Sequence, residues 1–200
     1  LFPYTTLFRS ERCRVRPEQV TLGNGSNDVL ELVARAWLAP GRNAVFSQYA
    51  FAVYPIATQA ACAEARCVPA RDYGHDLPAM LAAIDGNTRV VFLANPNNPT
   101  GTWFSAEALE AFLAAVPEHV LVVLDEAYNE YLPEALRNHD ARLRLWLAQH
   151  TNLLVTRTFS IMPPTLVPGS PVTSLTWRTR PTADMISSAP RSTSTSSRLA

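Results

Sequence analysis

The chain has 200 residues, 48% of them hydrophobic, with 17 basic and 17 acidic side chains and a formal net charge of zero. That length and apolar content suit one globular domain with a sizeable core, and no apolar run is long enough to span a membrane. The charge balance argues against a nucleic-acid or anionic-membrane partner and for a small-ligand site. Cys13, Cys62 and Cys67 lack paired metal-ligand spacing and read as reduced thiols of a cytoplasmic protein. All seventeen basic residues are arginine, so the chain contains no lysine; it opens on Leu1 rather than methionine and reads as a fragment.

Residues 1–16 show no sustained periodicity and no signal-peptide layout, and are expected to be a non-native or disordered start. Order is expected from Pro17. Gln19-Val20-Thr21-Leu22 is strand-like, and Gly23-Asn24-Gly25-Ser26-Asn27-Asp28 then opens a helix with apolar positions at Val29, Leu30, Leu32, Val33, Ala36 and Trp37. A glycine turn at a helix start is commonly just a cap, but its unpaired N–H groups at the positive end of the helix dipole also suit an anion such as phosphate. Pro40-Gly41 ends the helix and Ala44-Val45-Phe46 gives the next strand. Tyr49, Phe51 and Tyr54 open a second helix running to about Ala63, at a spacing that usually belongs to core packing. Ala65 to Pro69 is a short strand ending near the sheet margin, and Asp76 to Ile84 a helix. His75, His119, His139 and His150 are scattered surface or packing histidines with no metal or triad spacing.

Arg89-Val90-Val91-Phe92-Leu93-Ala94 reads as a strand buried on both faces, and it runs straight into Asn95-Pro96-Asn97-Asn98-Pro99-Thr100-Gly101, a tight loop fixed by two prolines and a glycine. Ser105 caps a helix from Ala106 to Val116, long enough for a right-handed crossover. Leu121-Val122-Val123-Leu124 is a second fully buried strand, stopping at Asp125-Glu126-Ala127-Tyr128. Ligands of open α/β sheets sit beyond the carboxyl ends of the strands, so Asn98, Asp125 and Tyr128 are placed at one crevice. Pro133 breaks the chain, Ala141 to His150 is a helix, and Asn152 to Thr156 a further strand, followed by Arg157-Thr158-Phe159-Ser160-Ile161. The composition then turns to Pro, Ser, Thr and Arg without apolar periodicity, so residues 161–200 are expected to be disordered.

The pairing of an Asn-Pro-Thr-Gly loop with an apolar strand ending in Asp-Glu-Ala-Tyr resembles the fold-type I pyridoxal-phosphate aminotransferases of class I/II, and within them the histidinol-phosphate aminotransferases, over about Val20 to Ser160. The resemblance implies a three-layer α/β sandwich with a mainly parallel sheet, present as an incomplete large domain over residues 17–160. It implies pyridoxal 5'-phosphate as cofactor, with Asp125 on the ring nitrogen, Asn98 and Tyr128 on the ring's 3-oxygen, Phe51 on the ring face, and Ser26, Asn27 and Ser160 on the phosphate. It implies an amino-acid-type substrate with a 2-oxo acid, and a homodimeric complete enzyme in the cytoplasm. The family's Schiff-base lysine follows the serine directly, where this chain has Ile161, so no residue here is assigned the catalytic role and the chain is expected not to transaminate. Loss of the match, of the lysine and of periodicity at one point implies a lost reading frame just after Ser160. Other readings are another class I/II member, such as a threonine-phosphate decarboxylase-like enzyme, and a non-catalytic binding module. A dinucleotide-binding domain is disfavoured because Gly23-Asn24-Gly25 lacks the third glycine of that fingerprint.

Overall fold

The computed structural model describes residues 10, 11 and 13–158 and the backbone of 174–178. Seven strands form one sheet: β1 (Val20–Gly23), β2 (Asn43–Ser47), β3 (Glu64–Val68), β4 (Thr88–Ala94), β5 (Leu121–Asp125), β6 (Leu153–Thr158) and β7 (Ser174–Arg178), in the spatial order β1-β7-β6-β5-β4-β2-β3. The five strands from β3 to β6 pair in parallel, while β7 is antiparallel to both β6 and β1. The helices are α1 (Ser26–Trp37), α2 (Val53–Ala60), α3 (Leu77–Ala82), α4 (Ala106–Ala115) and α5 (Asp140–Gln149).

Strand alternation divides the apolar side chains between two cores. Val91, Leu93, Val122, Leu124, Leu153 and Val155 pack with Met80 of α3, Leu109 and Phe112 of α4, and Leu143 and Trp146 of α5. Their neighbours Val90, Phe92, Leu121, Val123 and Leu154 pack on the other face with Leu30 and Val33 of α1 and Tyr54 and Ala57 of α2. The result is the expected three-layer α/β arrangement. Central strands covered on both faces account for the uninterrupted apolar runs of β4 and β5, whereas β3, at the sheet edge, is largely exposed. Ser105 accepts from the Ala108 N–H at 3.2 Å and Asp76 from the Ala79 N–H at 3.0 Å, so both crossover helices start at side-chain caps.

Two stretches depart from expectation. Packing starts before Pro17: Ser10 and Cys13 are buried, Cys13 joins the α5-side core, and the Arg144 guanidinium donates to the Cys13 carbonyl at 3.2 Å. A few apolar side chains laid against an existing helix face need no periodicity of their own. Within 161–200, Ser174–Arg178 forms β7, filling the gap between β6 and β1; non-local pairing orders a short Leu-Thr-Trp run that local composition cannot. The rest of that tail lies outside the described residues. No helix among the described residues is long and apolar enough to cross a membrane.

Candidate functional site

The parallel strands β4, β5 and β6 deliver their carboxyl ends side by side. Ala94 pairs with Asp125 and Asp125 with Thr156 in the ladder register, so the three ends form one ledge. On the α1/α2 face this ledge borders a crevice of about 320 Å³, within the range of small-ligand sites. Asn24, Gly25, Ser26 and Asn27 line it from the start of α1, Phe51 and Tyr54 from α2 and the turn before it, and Asn98, Asp125, Tyr128 and Thr158 from the strand ends.

The Asn-rich loop divides its asparagines between structure and site. Asn95 is consumed by Phe104, donating to its carbonyl at 3.1 Å and accepting from its N–H at 3.1 Å. The Asn97 amide donates to the Tyr49 carbonyl at 2.9 Å and to Thr100 Oγ1 at 2.8 Å. Gly101, with φ of +70°, closes the turn by donating its N–H to the Asn97 carbonyl at 2.8 Å. Asn98 is left at the crevice, where its amide donates to the Tyr128 hydroxyl at 3.3 Å.

Asp125 is 5% exposed. Its Oδ2 accepts from the Tyr54 hydroxyl at 3.0 Å and its Oδ1 from the Ala127 N–H at 3.2 Å. Burial drives the carboxyl up to about 6, against the lowering effect of those two donors. Tyr54 is fixed in turn: its ring stacks on Phe92 with centroids 4.8 Å apart and planes at 5°, and Phe51 stands edge-on to it at 5.9 Å. Burial and the neighbouring carboxylate hold the Tyr54 phenol well above its ordinary range. It therefore stays a neutral donor to Asp125. At the far side, α1 begins after Gly25 (φ +88°) with no side-chain hydrogen bond at its cap, and Asn24, Gly25, Ser26 and Asn27 of that start line the crevice.

Six of the seven residues singled out from the sequence, Ser26, Asn27, Phe51, Asn98, Asp125 and Tyr128, thus line one crevice, and Ser160 lies outside the described residues. Sequence reasoning missed Tyr54 and Thr158. Tyr54 follows Phe51 at helical spacing, the pattern of an ordinary core pair, and only its reach to a residue 71 positions away reveals it. Thr158 could have been found by alternation, since Leu154, Thr156 and Thr158 share one face of β6.

The sequence model described as "Aminotransferase class I and II" matches residues 4–160. Histidinol-phosphate aminotransferase 2 of Pseudomonas fluorescens (strain Pf0-1) is 70% identical over 156 residues, which cover 76% of this chain and 40% of that protein. The chain therefore spans well under half the length of this relative. Among solved structures, the histidinol-phosphate aminotransferase of Sinorhizobium meliloti in complex with pyridoxal-5'-phosphate superposes with a TM-score of 0.76 at 28% identity, covering 86% of this chain and 45% of that one. The L-threonine-O-3-phosphate decarboxylase of Porphyromonas gingivalis shares the fold, with a TM-score of 0.69 at 20% identity over 91% of this chain and 52% of its own. With the family's sequence pattern running through β4, β5 and the loops that build the crevice, the chain belongs to the class I and II aminotransferases.

Proposed function

We propose that the crevice is a pyridoxal-phosphate cradle and that the longer protein to which this sequence corresponds transfers the amino group between histidinol phosphate and 2-oxoglutarate. The reading rests on one observation above all: a carboxylate buried at the end of β5, oriented from two sides, at the bottom of a crevice whose opposite wall is an uncapped helix start. The 70% identity to a histidinol-phosphate aminotransferase supports the substrate class. The threonine-phosphate decarboxylase has only a fold likeness, at 20% identity.

The donor set fits the cofactor. Among the described residues no cation pairs with this buried carboxyl, held near 6, and a protonated ring nitrogen would supply one. The Asn98 amide and Tyr128 hydroxyl offer donors for a ring oxygen, Phe51 a flat apolar surface, and Ser26 and Asn27 a hydroxyl, an amide and helix N–H groups for a dianionic phosphate. When bound, the cofactor acts as an electron sink that stabilises the carbanion left by loss of the substrate's α-proton. Asp125 would hold a proton on the ring nitrogen, which that role requires, and the Tyr54 hydroxyl fixes the Asp125 carboxylate in place. Tyr128 and Asn98, joined by their own hydrogen bond, would orient the ring through its oxygen. The remaining task, moving a proton at the substrate carbon, needs a free amine. Arginine cannot supply one because its guanidinium stays protonated, and the chain has no lysine. As written, it is a non-catalytic cofactor-binding module. We assign the stretch up to Ser160 to the cofactor domain, its packing beginning before Pro17 at Cys13, and the tail after Ser160 to a shifted reading frame. The complete enzyme we take to be a cytoplasmic homodimer.

The test is direct. Pyridoxal phosphate titrated into the 200-residue protein with its amino terminus blocked should bind saturably. Borohydride treatment followed by peptide mapping should leave no adduct on any side chain. A stable adduct within residues 20–160, or no saturable binding, refutes the reading.

A further inference from the structure

We propose that Arg157 and Glu126 are a positioning pair, whose buried ion pair on the side of the sheet away from the crevice sets where Asp125, Tyr128 and Thr158 stand relative to one another. The inference rests on the reading of the crevice as a cofactor cradle.

Period-2 alternation places the pair. Asp125 and Thr158 point to the crevice, so Glu126 and Arg157, their chain neighbours, point to the α5 side. There Arg157 Nε and Nη2 both reach Glu126 Oε2 at 2.9 Å, Nη1 reaches Asp140 Oδ1 at 2.8 Å, and Nη2 donates to the Asn138 carbonyl at 2.8 Å. The other carboxylate oxygen, Glu126 Oε1, accepts from Asn138 Nδ2 at 2.6 Å. Asn138 is locked to Asn129 by two further bonds, from its own N–H to Asn129 Oδ1 at 3.0 Å and from Asn129 Nδ2 to its carbonyl at 3.2 Å. Asn129 also donates its N–H to the Glu126 carbonyl at 3.1 Å, and Glu126 its N–H to the Thr156 carbonyl at 2.8 Å. Each of the three crevice residues Asp125, Tyr128 and Thr158 therefore has a member of this network, Glu126, Asn129 or Arg157, as its immediate neighbour in the chain. None of the network residues lines the crevice.

Stability alone does not account for the arrangement. The Glu126 side chain is fully buried and that of Arg157 14% exposed, and a buried ion pair is commonly no more stabilising than well-packed apolar residues of the same volume. A guanidinium fork adds fixed geometry, satisfying three partners at set angles as no apolar side chain can. Glu126 and Arg157 sit 31 residues apart in sequence, on the ends of two adjacent strands. They fix the relative position of two walls that the strand ladder alone holds only by backbone bonds.

The test uses Arg157→Lys, which keeps the charge but replaces the planar fork by a single ammonium, and Glu126→Gln/Arg157→Met, which removes both buried charges and leaves only Asp140, 43% exposed to water, without its partner. If the lysine variant does not fold, the double variant carries the test. Trp146→Phe is the control: it loses the indole bond to Glu110 (2.9 Å) in the helix layer away from the crevice. Two quantities are read in each: the titration of the Asp125 side-chain carboxyl by carbon NMR in ligand-free protein, and the dissociation constant for pyridoxal phosphate. In Arg157→Lys, where the charges are kept, the Asp125 titration should fall by about one pKa unit as its orientation loosens and water reaches it; in the double variant the lost Glu126 charge lowers it as well, so the readout there is pyridoxal-phosphate binding, which should weaken about tenfold or more in both. Trp146→Phe should lower the melting temperature and leave both quantities unchanged. If the clamp variants also lower only the melting temperature, the proposal is overturned. If the wild-type protein fails to bind pyridoxal phosphate while Arg157→Lys still shifts Asp125, the cofactor reading fails and the clamp stands.

Discussion

Asp125→Asn should make the ligand-free protein more stable at pH 7, by about 3 kcal/mol, and at the same time weaken pyridoxal-phosphate binding at least tenfold. The folded state holds the Asp125 carboxyl at about 6 instead of its ordinary 3.8, so it takes up a proton there more readily than the unfolded chain does. Stability from this group is greatest below pH 4, falls as pH rises through 6, and stays low above it. At pH 7 the buried carboxylate is thus a full liability, and the isosteric amide removes it: Oδ1 can accept from the Ala127 N–H while Nδ2 donates to the Tyr54 oxygen. Most substitutions of buried, hydrogen-bonded residues destabilise. A gain here, measured by urea unfolding at pH 7 and vanishing by about pH 4, would mark a group retained for its ligand. A loss of stability at pH 7 would show that Asp125 is an ordinary structural carboxylate.

Acid should loosen the same edge of the crevice through His75. Its ring packs edge-on against Phe104 at 5.7 Å, and its Nε2 accepts from the Ala94 N–H at 3.3 Å, which requires an unprotonated nitrogen. Burial lowers it to about 4. The sign is opposite to that of Asp125: the depressed value stabilises the fold fully above pH 6.5, and this contribution drains away as pH falls toward 4. Because the residue is half-buried, solvent screening reduces the expected loss to about 2 kcal/mol. His75→Gln, which retains an acceptor for the Ala94 N–H, should flatten stability between pH 6.5 and 4. An unchanged acid limb in that variant would assign the loss to other groups. Ala94 lines the crevice beside Asp125, so ligand binding should weaken over the same interval.

The contrast between these two groups shows what a sequence discloses and what it withholds. β4 and β5 were legible because burial on both faces leaves an unbroken apolar run, and Asn98, Asp125 and Tyr128 because each stands where such a run stops or in the loop after it. The Gly23–Asp28 turn was legible as a glycine-rich helix start, though nothing local distinguishes it from a simple cap. Tyr54 was not, since an aromatic at helical spacing reads as core until the partner of its hydroxyl is known. The Glu126–Arg157 pair depends on which strands are neighbours, and neither residue stands out in its own segment. His75 was one of four scattered histidines. Its meaning lies in Ala94, 19 residues on. β7 and the packing of Cys13 share that cause, for both are ordered by surfaces that distant parts of the chain create.

The claim that joins these observations is that Asp125 faces a protonated ring nitrogen. Pyridoxal phosphate labelled with nitrogen-15 in the ring reports this directly, because protonation of that nitrogen moves its NMR shift far outside the range of the neutral form. Bound to the wild-type chain at pH 8, the label should give the protonated shift, and in Asp125→Asn it should show either the neutral shift or no bound signal. A neutral ring nitrogen in the wild-type complex, or a protonated one that persists in Asp125→Asn, would contradict the account.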